Sequence, residues 1–342
     1  MNEAVQSSEK CPLLIVIVNY RTADLTINCL RSLVEEVKSL PGTQVVVVDN
    51  PSGDNSVEKI GRAIATEGWE GWASLIAAEH NGGYASGNNL AIRPALQSPN
   101  PPDYYWLLNP DTVVRPGALK ALVDFIAQRP EVGIVGSSFE EADGEPWPIA
   151  FRFPNVLSEL DSGLRLGIVT KLLSRWVVVQ QMGNEPAPID WIPGASMLIR
   201  REVFEAIGLM DEGYFLYFEE TDFCLQAKRA GWSCWYVPQS RIMHIAGQST
   251  GVTVRNARPK RLPQYWFDSR RRYFMKNHGW LYTALADAAW IAGYSLWRFR
   301  QLIQQKPDMD PPYLFQDFLR NTVFIKPGMP ESDQPSKLAV NP

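Results

Sequence analysis

Polar side chains follow directly after several short apolar runs, each with the length and composition of a buried strand. These polar groups are Asn19-Tyr20-Arg21, Asp49-Asn50 and Asn109-Pro110-Asp111. Proline cannot donate to a β-ladder, so Pro110 ends its strand and places Asp111 at the strand tip. Carboxylate and amide oxygens suit Mg²⁺ or Mn²⁺, which often share such ligands with phosphates. Asn, Pro and Asp are also common turn residues, and this stretch taken alone favours a plain turn.

Three more carboxylates, Glu219, Glu220 and Asp222, stand close together after the aromatic run Tyr214–Phe218. They begin a predicted helix that continues to Arg229. Acidic residues are favourable in the first turn of a helix, which is one sufficient explanation for them. Crowded carboxylates that are partly buried also have raised pKa values, and such a group suits general-base work.

A glycine- and asparagine-rich segment, Asn81–Asn89, precedes the helical pattern that starts at Leu90. Glycines at the mouth of a helix let the backbone approach a phosphate or sugar, and the helix N-terminus favours anions. The spacing matches neither the dinucleotide fingerprint nor the Walker loop. Further on, His244 is one of three histidines. It could be a metal ligand or a packed core residue, and the sequence leaves both open.

Strands and helices alternate along the chain, which predicts an α/β fold with a mostly parallel central sheet. The predicted strands are Leu13–Val18, Val45–Val48, Ser74–Ala78, Tyr104–Leu108, Val132–Gly136 and Cys234–Val237. Because the carboxyl ends of parallel strands meet at one edge of a sheet, we expect the polar groups there to line one crevice. The groups are Asn19, Asp49, Asn81 and Asp111.

The C-terminal part of the chain is basic and rich in tryptophan. Between Arg255 and Lys306 there are 11 Lys/Arg and two acids, a charge of +9, so the rest of the chain carries −13 of the total −4. This asymmetry predicts an anionic partner, and no nucleic-acid module is recognisable. An apolar helix over Leu281–Trp297 suits peripheral membrane contact through 260–300, with Arg270–Arg272 contributing to it. Packing on the domain or on a second subunit, as in a homodimer, fits equally well.

The length, composition and cysteine content of the chain indicate its size class and its cellular compartment. The chain has 342 residues, of which 45% are hydrophobic, enough for one large or two modest domains. The 4 cysteines show neither zinc-like spacing nor a disulfide framework, and no secretory leader or spanning apolar run is visible. We therefore expect a reducing, cytoplasmic location.

Six segments, taken in order, resemble the family 2 glycosyltransferases of GT-A fold, especially the rhamnosyltransferase-like branch. The segments are Ile17–Tyr20, Val47–Ser52, Asn81–Asn89, Leu107–Asp111, Gly194–Arg201 and Phe215–Asp222. The resemblance implies a mostly parallel sheet flanked by helices, with a C-terminal helical extension. The implied organisation is a loose N-terminus (1–10), a GT-A catalytic domain (11–254), a basic, Trp-rich helical extension (255–325) and a disordered tail (326–342).

The resemblance also implies an inverting transferase that takes a sugar from a nucleotide-diphosphate donor, with L-rhamnose from dTDP-rhamnose as the expected sugar. The implied acceptor is a cell-envelope polysaccharide or a polyprenyl-linked glycan, at the inner face of the cell membrane. The implied donor-binding residues are Asn19, Tyr20, Arg21, Asp49, Asn50, Asn81, Gly82, Gly83, Gly87, Asn88 and Asn109. Asp111 and His244 would hold Mg²⁺ or Mn²⁺, while Trp191, Gly194 and Ala195 would line the acceptor side. Glu220 is the expected base, with Glu219 or Asp222 orienting it or binding the acceptor, and Asp222 is the alternative base.

Two departures from the family pattern qualify this reading. The usual Asp-x-Asp metal motif is Asn109-Pro110-Asp111 here, which leaves one charge fewer for a metal, and the usual Glu-Asp pair is Glu219-Glu220. A catalytically silent nucleotide-sugar-binding scaffold is therefore the alternative. A nucleotidyltransferase would need a glycine-rich loop after the first strand, where Asn19-Tyr20-Arg21 stands instead.

Overall fold

The structure is a computed structural model that describes residues 12–141, 144–147, 149–245 and 259–330. The predicted loose N-terminus (1–10) and the end of the predicted tail, from 331 onward, lie outside the described residues. The helices and strands are β1 Leu13–Asn19, α1 Ala23–Ser39, β2 Gln44–Asp49, α2 Ser56–Thr66, β3 Ala73–Ala77, α3 Gly83–Leu96, β4 Tyr104–Leu108, β5 Thr112–Val114, α4 Ala118–Ala127, β6 Val132–Glu140, β7 Pro146–Trp147, β8 Ile149–Phe151, α5 Val156–Leu164, α6 Gly167–Leu172, β9 Val179–Gln181, β10 Ala187–Ile189, β11 Ser196–Arg200, α7 Arg201–Ile207, α8 Glu219–Arg229, β12 Ser233–His244, α9 Gln264–Ile303 and α10 Leu314–Arg320.

A mixed, mostly parallel sheet forms the centre of the molecule. Its strands lie in the order β10-β12-β6-β11-β4-β1-β2-β3, and β5 and β7 pair with β12 and β6, respectively. The strands β4, β1, β2 and β3 are neighbours and run parallel, whereas β11 is antiparallel to both β4 and β6. Every residue of β1 is buried, as its continuous apolar run rich in isoleucine and valine predicts.

Helices flank this sheet, and α3 packs on β1 and β2 while α4 packs on β6 and β12. The glycine-rich segment is already part of α3, which begins at Gly83 and not near Leu90 as predicted. No helix in the described ranges is long and apolar enough to cross a membrane.

The C-terminal helix α9 is packed against the rest of the protein. It is broken at Gly279, whose φ of 78° and ψ of 175° are not helical. It crosses α5 where two glycines face the opposite backbone: a Cβ on Gly163 would lie 2.6 Å from the carbonyl oxygen of Trp290, and one on Gly293 would lie 2.7 Å from that of Leu160. Such close approach requires glycine on both helices.

The expectation that Arg270–Arg272 form a membrane-facing basic surface is wrong. Arg270 is 5% exposed, and its guanidinium donates to Glu159 (2.7 Å) and to Asp287 (2.6 Å). Arg271 is buried beside Asp268, and Arg272 contacts the carboxylate of Asp211 at 2.9 Å. Arg270 and Arg272 therefore bind α9 to carboxylates of the body of the protein.

Candidate active site

Two of the polar groups predicted to line one crevice, Asn19 and Asp49, meet at the carboxyl ends of the parallel strands β1 and β2. Asn19, at the end of β1, donates from Nδ2 to Oδ1 of Asp49 at the end of β2, at 2.5 Å. The other end of the Asn19 amide accepts from the hydroxyls of Thr22 (2.9 Å) and Thr26 (2.8 Å), which fixes its orientation. Burial raises the pKa of Asp49, and the hydrogen bond from Asn19 partly offsets this. Asn19 and Asp49 are therefore held together in one fixed arrangement before any ligand binds.

The N-terminus of α3 lies beside these strand ends. Asn81 accepts at Oδ1 from the N–H of Gly83 (3.0 Å), and Asn50 donates from Nδ2 to the carbonyl oxygen of Gly83 (3.2 Å). The side-chain oxygens of Asn50 and Asn88 are buried and have no hydrogen-bond partner in the described part of the chain. Buried acceptors of this kind are costly to leave unpaired, so they are suited to receive donors from a bound ligand.

Packing against the protein itself accounts for two of the glycines. Gly83 has a φ of +85°, and a Cβ there would overlap the carbonyl oxygen of Phe215. A Cβ on Gly87 would lie 2.7 Å from Val18. The chain also needs Gly83 because the next N–H, that of Tyr84, donates to the same Phe215 carbonyl at 3.0 Å.

Tyr20 and Arg21 follow β1 at the rim of the crevice. Arg21 has a φ of 59°. Its main-chain N–H donates to the Ser52 hydroxyl (3.0 Å), and its Nε donates to the Ser52 carbonyl (3.1 Å). The guanidinium lies 5.2 Å from the centroid of the half-buried Tyr20 ring. Arg21 thus braces the turn after β2 beside the buried Asp49.

Asp111 and His244 come together, although 133 positions separate them. Nε2 of His244 lies 3.3 Å from Oδ1 of Asp111, and both side chains are largely buried. The pairing of β5 with β12 sets this approach, because Thr112 stands opposite His244 and the Ile245 N–H donates to the Asp111 carbonyl at 3.1 Å. No group of three or more His, Cys, Asp or Glu that could hold a metal occurs in the described ranges.

Asp111 and His244 could supply only part of the ligands of a divalent cation. One carboxylate and one neutral imidazole are ligands that Mn²⁺ accepts, and the remaining positions would be left for phosphate oxygens or water. Asn109 contributes its main chain to the local structure: its carbonyl accepts from the Thr112 hydroxyl (2.7 Å), and its N–H donates to the Ala195 carbonyl (3.1 Å).

Glu219 and Glu220 begin α8 as an interacting pair of carboxylates. One oxygen of each is buried without a hydrogen-bond partner among the described residues. Burial raises the pKa of Glu219 well above its ordinary value, and the neighbouring charge of Glu220 adds to this. Burial also raises the pKa of Glu220, although hydrogen bonds from its own N–H and from that of Gly194 oppose the shift. Raised pKa values of this kind are typical of groups that exchange protons.

Asp222 is placed differently from the other two carboxylates. It is 2% exposed, and it contacts Nζ of Lys276 at 2.6 Å and Nδ2 of Asn277 at 2.7 Å. Gln226 donates to the same carboxylate from one turn further along α8 (3.1 Å). Both oxygens of Asp222 therefore already accept hydrogen bonds, and this carboxylate connects α8 to α9.

The turn at Gly194-Ala195 joins both halves of the crevice. The N–H of Gly194 bonds to Glu220, and its carbonyl accepts from the Tyr84 hydroxyl at 2.7 Å. The carbonyl of Ala195 accepts from Asn109, on the Asp111 side. A Cβ on Gly194 would lie 2.5 Å from the Tyr84 hydroxyl, so only glycine fits.

Trp191 contacts a different surface from this turn. Its ring stacks on Phe151 with centroids 4.4 Å apart, and its indole N–H donates to the Arg152 carbonyl (3.0 Å). The structure therefore places Trp191 against β8, with its polar atom already used.

Two sets of contacts at the site were not predicted from the sequence. Tyr84 lies in the glycine-rich segment, yet no pattern assigned its hydroxyl to Gly194. The loop before α8 is held by α9, since the Ser269 hydroxyl donates to the Leu216 carbonyl (3.0 Å) and Tyr265 packs on Phe215 with ring centroids 5.2 Å apart. The spacing of Arg272 and Lys276, one helical turn apart, was the only signal that α9 faces acids of this loop.

The central sheet with its flanking helices is a GT-A fold. The chain belongs to the family described as "Glycosyltransferase like family 2", whose model matches residues 11–260. The fold is shared with GalNAc-T7, solved with UDP, GalNAc and Mn²⁺, at 15% identity and a TM-score of 0.55 over 86% of this chain and 55% of that chain. It is also shared with the mannosyltransferase PcManGT from Pyrobaculum calidifontis, solved with GDP-Man and Mn²⁺, at 15% identity and a TM-score of 0.50 over 92% and 86% of the two chains.

Among curated proteins, the chain is similar to the N-acetylglucosaminyl-diphospho-decaprenol L-rhamnosyltransferase of Mycobacterium tuberculosis, with 31% identity over 44% of this chain and 49% of that protein. It is 26% identical to the rhamnosyltransferase WbbL of Escherichia coli K12, over 48% of this chain and 61% of WbbL. The chain thus spans about half the length of the first relative. The predictions of the GT-A fold, of family 2 and of its rhamnosyltransferase-like branch are confirmed.

Proposed function

We propose that this protein is an inverting, metal-dependent glycosyltransferase that moves L-rhamnose from dTDP-rhamnose to a glycan on a polyprenyl lipid or a cell-envelope polysaccharide. The names of its relatives support the sugar and the lipid-linked acceptor, and one of them, RfbF of Shigella flexneri, is named a dTDP-rhamnosyl transferase. An acceptor carried on such a lipid would place the reaction at the cytoplasmic face of the membrane.

One observation carries the proposal: the turn at Gly194-Ala195 contacts both chemically active groups. Gly194 bonds to Glu220, and Ala195 bonds to Asn109 next to the Asp111–His244 pair. Glycosyl transfer needs this arrangement, because the leaving diphosphate and the attacking hydroxyl approach opposite faces of the same anomeric carbon. A proton acceptor and an anion-stabilising site must therefore face one shared space.

We assign the proton transfer to Glu220. Its unpartnered oxygen would take the proton of the acceptor hydroxyl as that oxygen bonds to the anomeric carbon and the bond to the diphosphate breaks. The Gly194 N–H holds the carboxylate in place, and burial raises the pKa of Glu220, which makes its ionised form more basic. Tyr84 positions Gly194, and Asp222 positions α8 through Lys276.

Asp111 and His244 are the residues that would hold Mg²⁺ or Mn²⁺ against the donor diphosphate. The bound cation would supply neutralisation of the charge that develops on the leaving group. Both structural neighbours above were solved with Mn²⁺, which supports a divalent cation in this fold. Asn19, Asp49, Asn50 and Asn88 would hold the nucleoside through the buried amide and carboxylate groups at the sheet edge.

Thermal melting against a panel of donors tests the assignment of the donor. The panel is dTDP-rhamnose, UDP-, GDP- and other dTDP-sugars, each with and without Mn²⁺. A ligand that binds only the folded protein adds about 2.7 kcal/mol at a hundredfold excess over its dissociation constant, which is readily visible. We expect a metal-dependent shift with dTDP-rhamnose that Asp111→Asn abolishes. A shift of the melting temperature with another donor would assign that donor in place of dTDP-rhamnose. No shift with any donor would contradict the proposed transferase activity.

A paired substitution tests the assignment of the base and the scaffold alternative. Glu220→Gln should lower kcat by about 10²- to 10⁴-fold with little change in donor affinity. Asp222→Asn should retain most of kcat, since it weakens an anchor without removing the base. Wild-type protein that binds the donor and transfers nothing, with any acceptor offered, would favour the silent scaffold.

A further inference from the structure

The second half of α9, from Leu281 to Ile303, presents an apolar face to solvent. Nine residues of this segment are exposed, and eight of them are apolar. The exposed residues are Leu281, Leu285, Ala288, Ala292, Ser295, Leu296, Phe299, Leu302 and Ile303. The six large ones are between 53% and 75% exposed. A surface helix ordinarily has the opposite polarity, with its charged side chains outward.

The charged residues of this segment are bonded to the protein itself. Asp287 is 1% exposed and contacts Arg270 at 2.6 Å, while Arg298 pairs with Asp308 at 2.7 Å. Arg300 donates to main-chain carbonyls at the end of α5. The apolar face therefore carries no charge of its own. Helices that bind anionic membranes have lysine or arginine along the edge of the apolar stripe, so this face is better suited to a neutral apolar partner.

The spacing along the face is that of a helix–helix seam. Leu281, Leu285, Ala288, Ala292, Ser295, Phe299 and Leu302 are separated alternately by four and three residues. This is the repeat by which two helices pack side chains into each other's grooves.

The sizes of the side chains are complementary to a second, antiparallel copy. If the two copies cross at Ala292, Leu281 of one chain lies opposite residue 303 of the other. Leu285 then lies opposite Phe299, and the small Ala288 lies opposite residue 296, a leucine. Small residues at the centre allow the backbones to approach, and large residues fill the space toward both ends. Such self-complementarity is what a two-fold symmetric interface requires.

We propose that two copies of this chain pair through this face of α9 in an antiparallel, two-fold symmetric dimer. The six large side chains expose on the order of 700 Å² per copy, close to the roughly 800 Å² that each partner buries in a standard interface. The pairing leaves the crevice at the sheet edge untouched, since its residues lie on other elements. The proposal therefore does not depend on the function of that crevice.

Charge substitution on the full-length chain, with mass measured by sedimentation equilibrium, tests this pairing. The wild type should be a dimer. Leu285→Glu and Phe299→Lys, each alone, should raise the dissociation constant at least about tenfold. The double variant should recover the dimer, because in the antiparallel arrangement the new acid faces the new base across the interface. Val57→Glu, on the exposed face of α2, is the control and should remain as dimeric as the wild type.

A cysteine at the crossing point gives a second, independent measurement. With copper–phenanthroline as oxidant, Ala292→Cys should form a disulfide-linked dimer, whereas Ala65→Cys, on an exposed position of α2, should not. A monomeric wild type would overturn the proposal. So would a dimer that neither recovers in the double variant nor cross-links at residue 292. Wild-type monomers that float with anionic vesicles and lose this in Leu285→Glu would assign the face to the membrane instead.

Discussion

Replacing Arg270 by methionine should destabilise the protein strongly, because this arginine is the buried partner of two carboxylates. Arg270 is 5% exposed and lies between Glu159 and Asp287, at 2.7 and 2.6 Å. Methionine keeps most of the volume and removes the charge. Removing one partner of a buried ionic group costs about 3–5 kcal/mol, since the remaining charges are left uncompensated in a site shielded from water.

The cost should depend on pH in a defined direction. Burial raises the pKa of Glu159, and Arg270 is the group that opposes this shift. Without Arg270, the folded-state pKa of Glu159 rises further above its unfolded value. A carboxyl with a raised folded pKa destabilises the fold above that pKa, and this penalty disappears below the unfolded value. The deficit of Arg270→Met should therefore shrink as the pH is lowered toward 4.5.

Urea unfolding followed by tryptophan fluorescence measures this, at one protein concentration because oligomers are stabilised by concentration. Arg62→Met is the control: its pair with Glu58 is 70% exposed on both sides and should contribute no more than about 1 kcal/mol. A loss below about 1 kcal/mol in Arg270→Met, or a loss that is equal at pH 5 and pH 7.5, would refute the reasoning.

Three further outcomes follow from the site. Because the pKa of Glu220 is raised, the acidic limb of kcat/KM against pH should lie above 4.5, and it should vanish in Glu220→Gln. Glu219→Gln should raise the free energy of unfolding at pH 7.5, and the gain should fade toward pH 4.5, because the penalty of a carboxyl with a raised folded pKa grows as the pH rises from its unfolded pKa to its folded pKa; urea titrations at both pH values measure it. Gly83→Ala should destabilise more than Gly144→Ala, as judged by melting temperature. Both glycines have a φ of +85°, which costs about 1–2 kcal/mol for alanine, but only at Gly83 would the Cβ overlap the carbonyl of Phe215.

Local patterns predicted much of the fold and of the crevice. The end of β4 could be read from Pro110, and the β-branched composition of β1 identified a fully buried strand. Both features depend only on residues that are neighbours in the chain, so a short stretch of sequence is enough to recognise them. The position of Asp111 at a strand tip follows from them, and its approach to His244 follows from the family resemblance.

Contacts between residues far apart in the chain could not be predicted from these local patterns. The arginines of α9 looked like a free basic surface because their partners lie elsewhere in the chain: Glu159 is 111 positions from Arg270. Asp222 looked equivalent to Glu220 for the same reason, since its partner Lys276 is 54 positions away. Charge and composition can be read from sequence, whereas the pairing of charges is decided only by tertiary packing.

The anomeric configuration of the transferred sugar tests most directly whether the enzyme inverts the donor with Glu220 as the base. The measurement is NMR of the product formed from dTDP-rhamnose and a polyprenyl-diphosphate-linked acceptor, with Mn²⁺ present, for the wild type, Glu220→Gln and Asp111→Asn. We expect a glycoside of anomeric configuration opposite to that of the donor, formed by the wild type and reduced by at least about 10²-fold in both variants. A product that retains the configuration of the donor, or full turnover in Glu220→Gln, would contradict it.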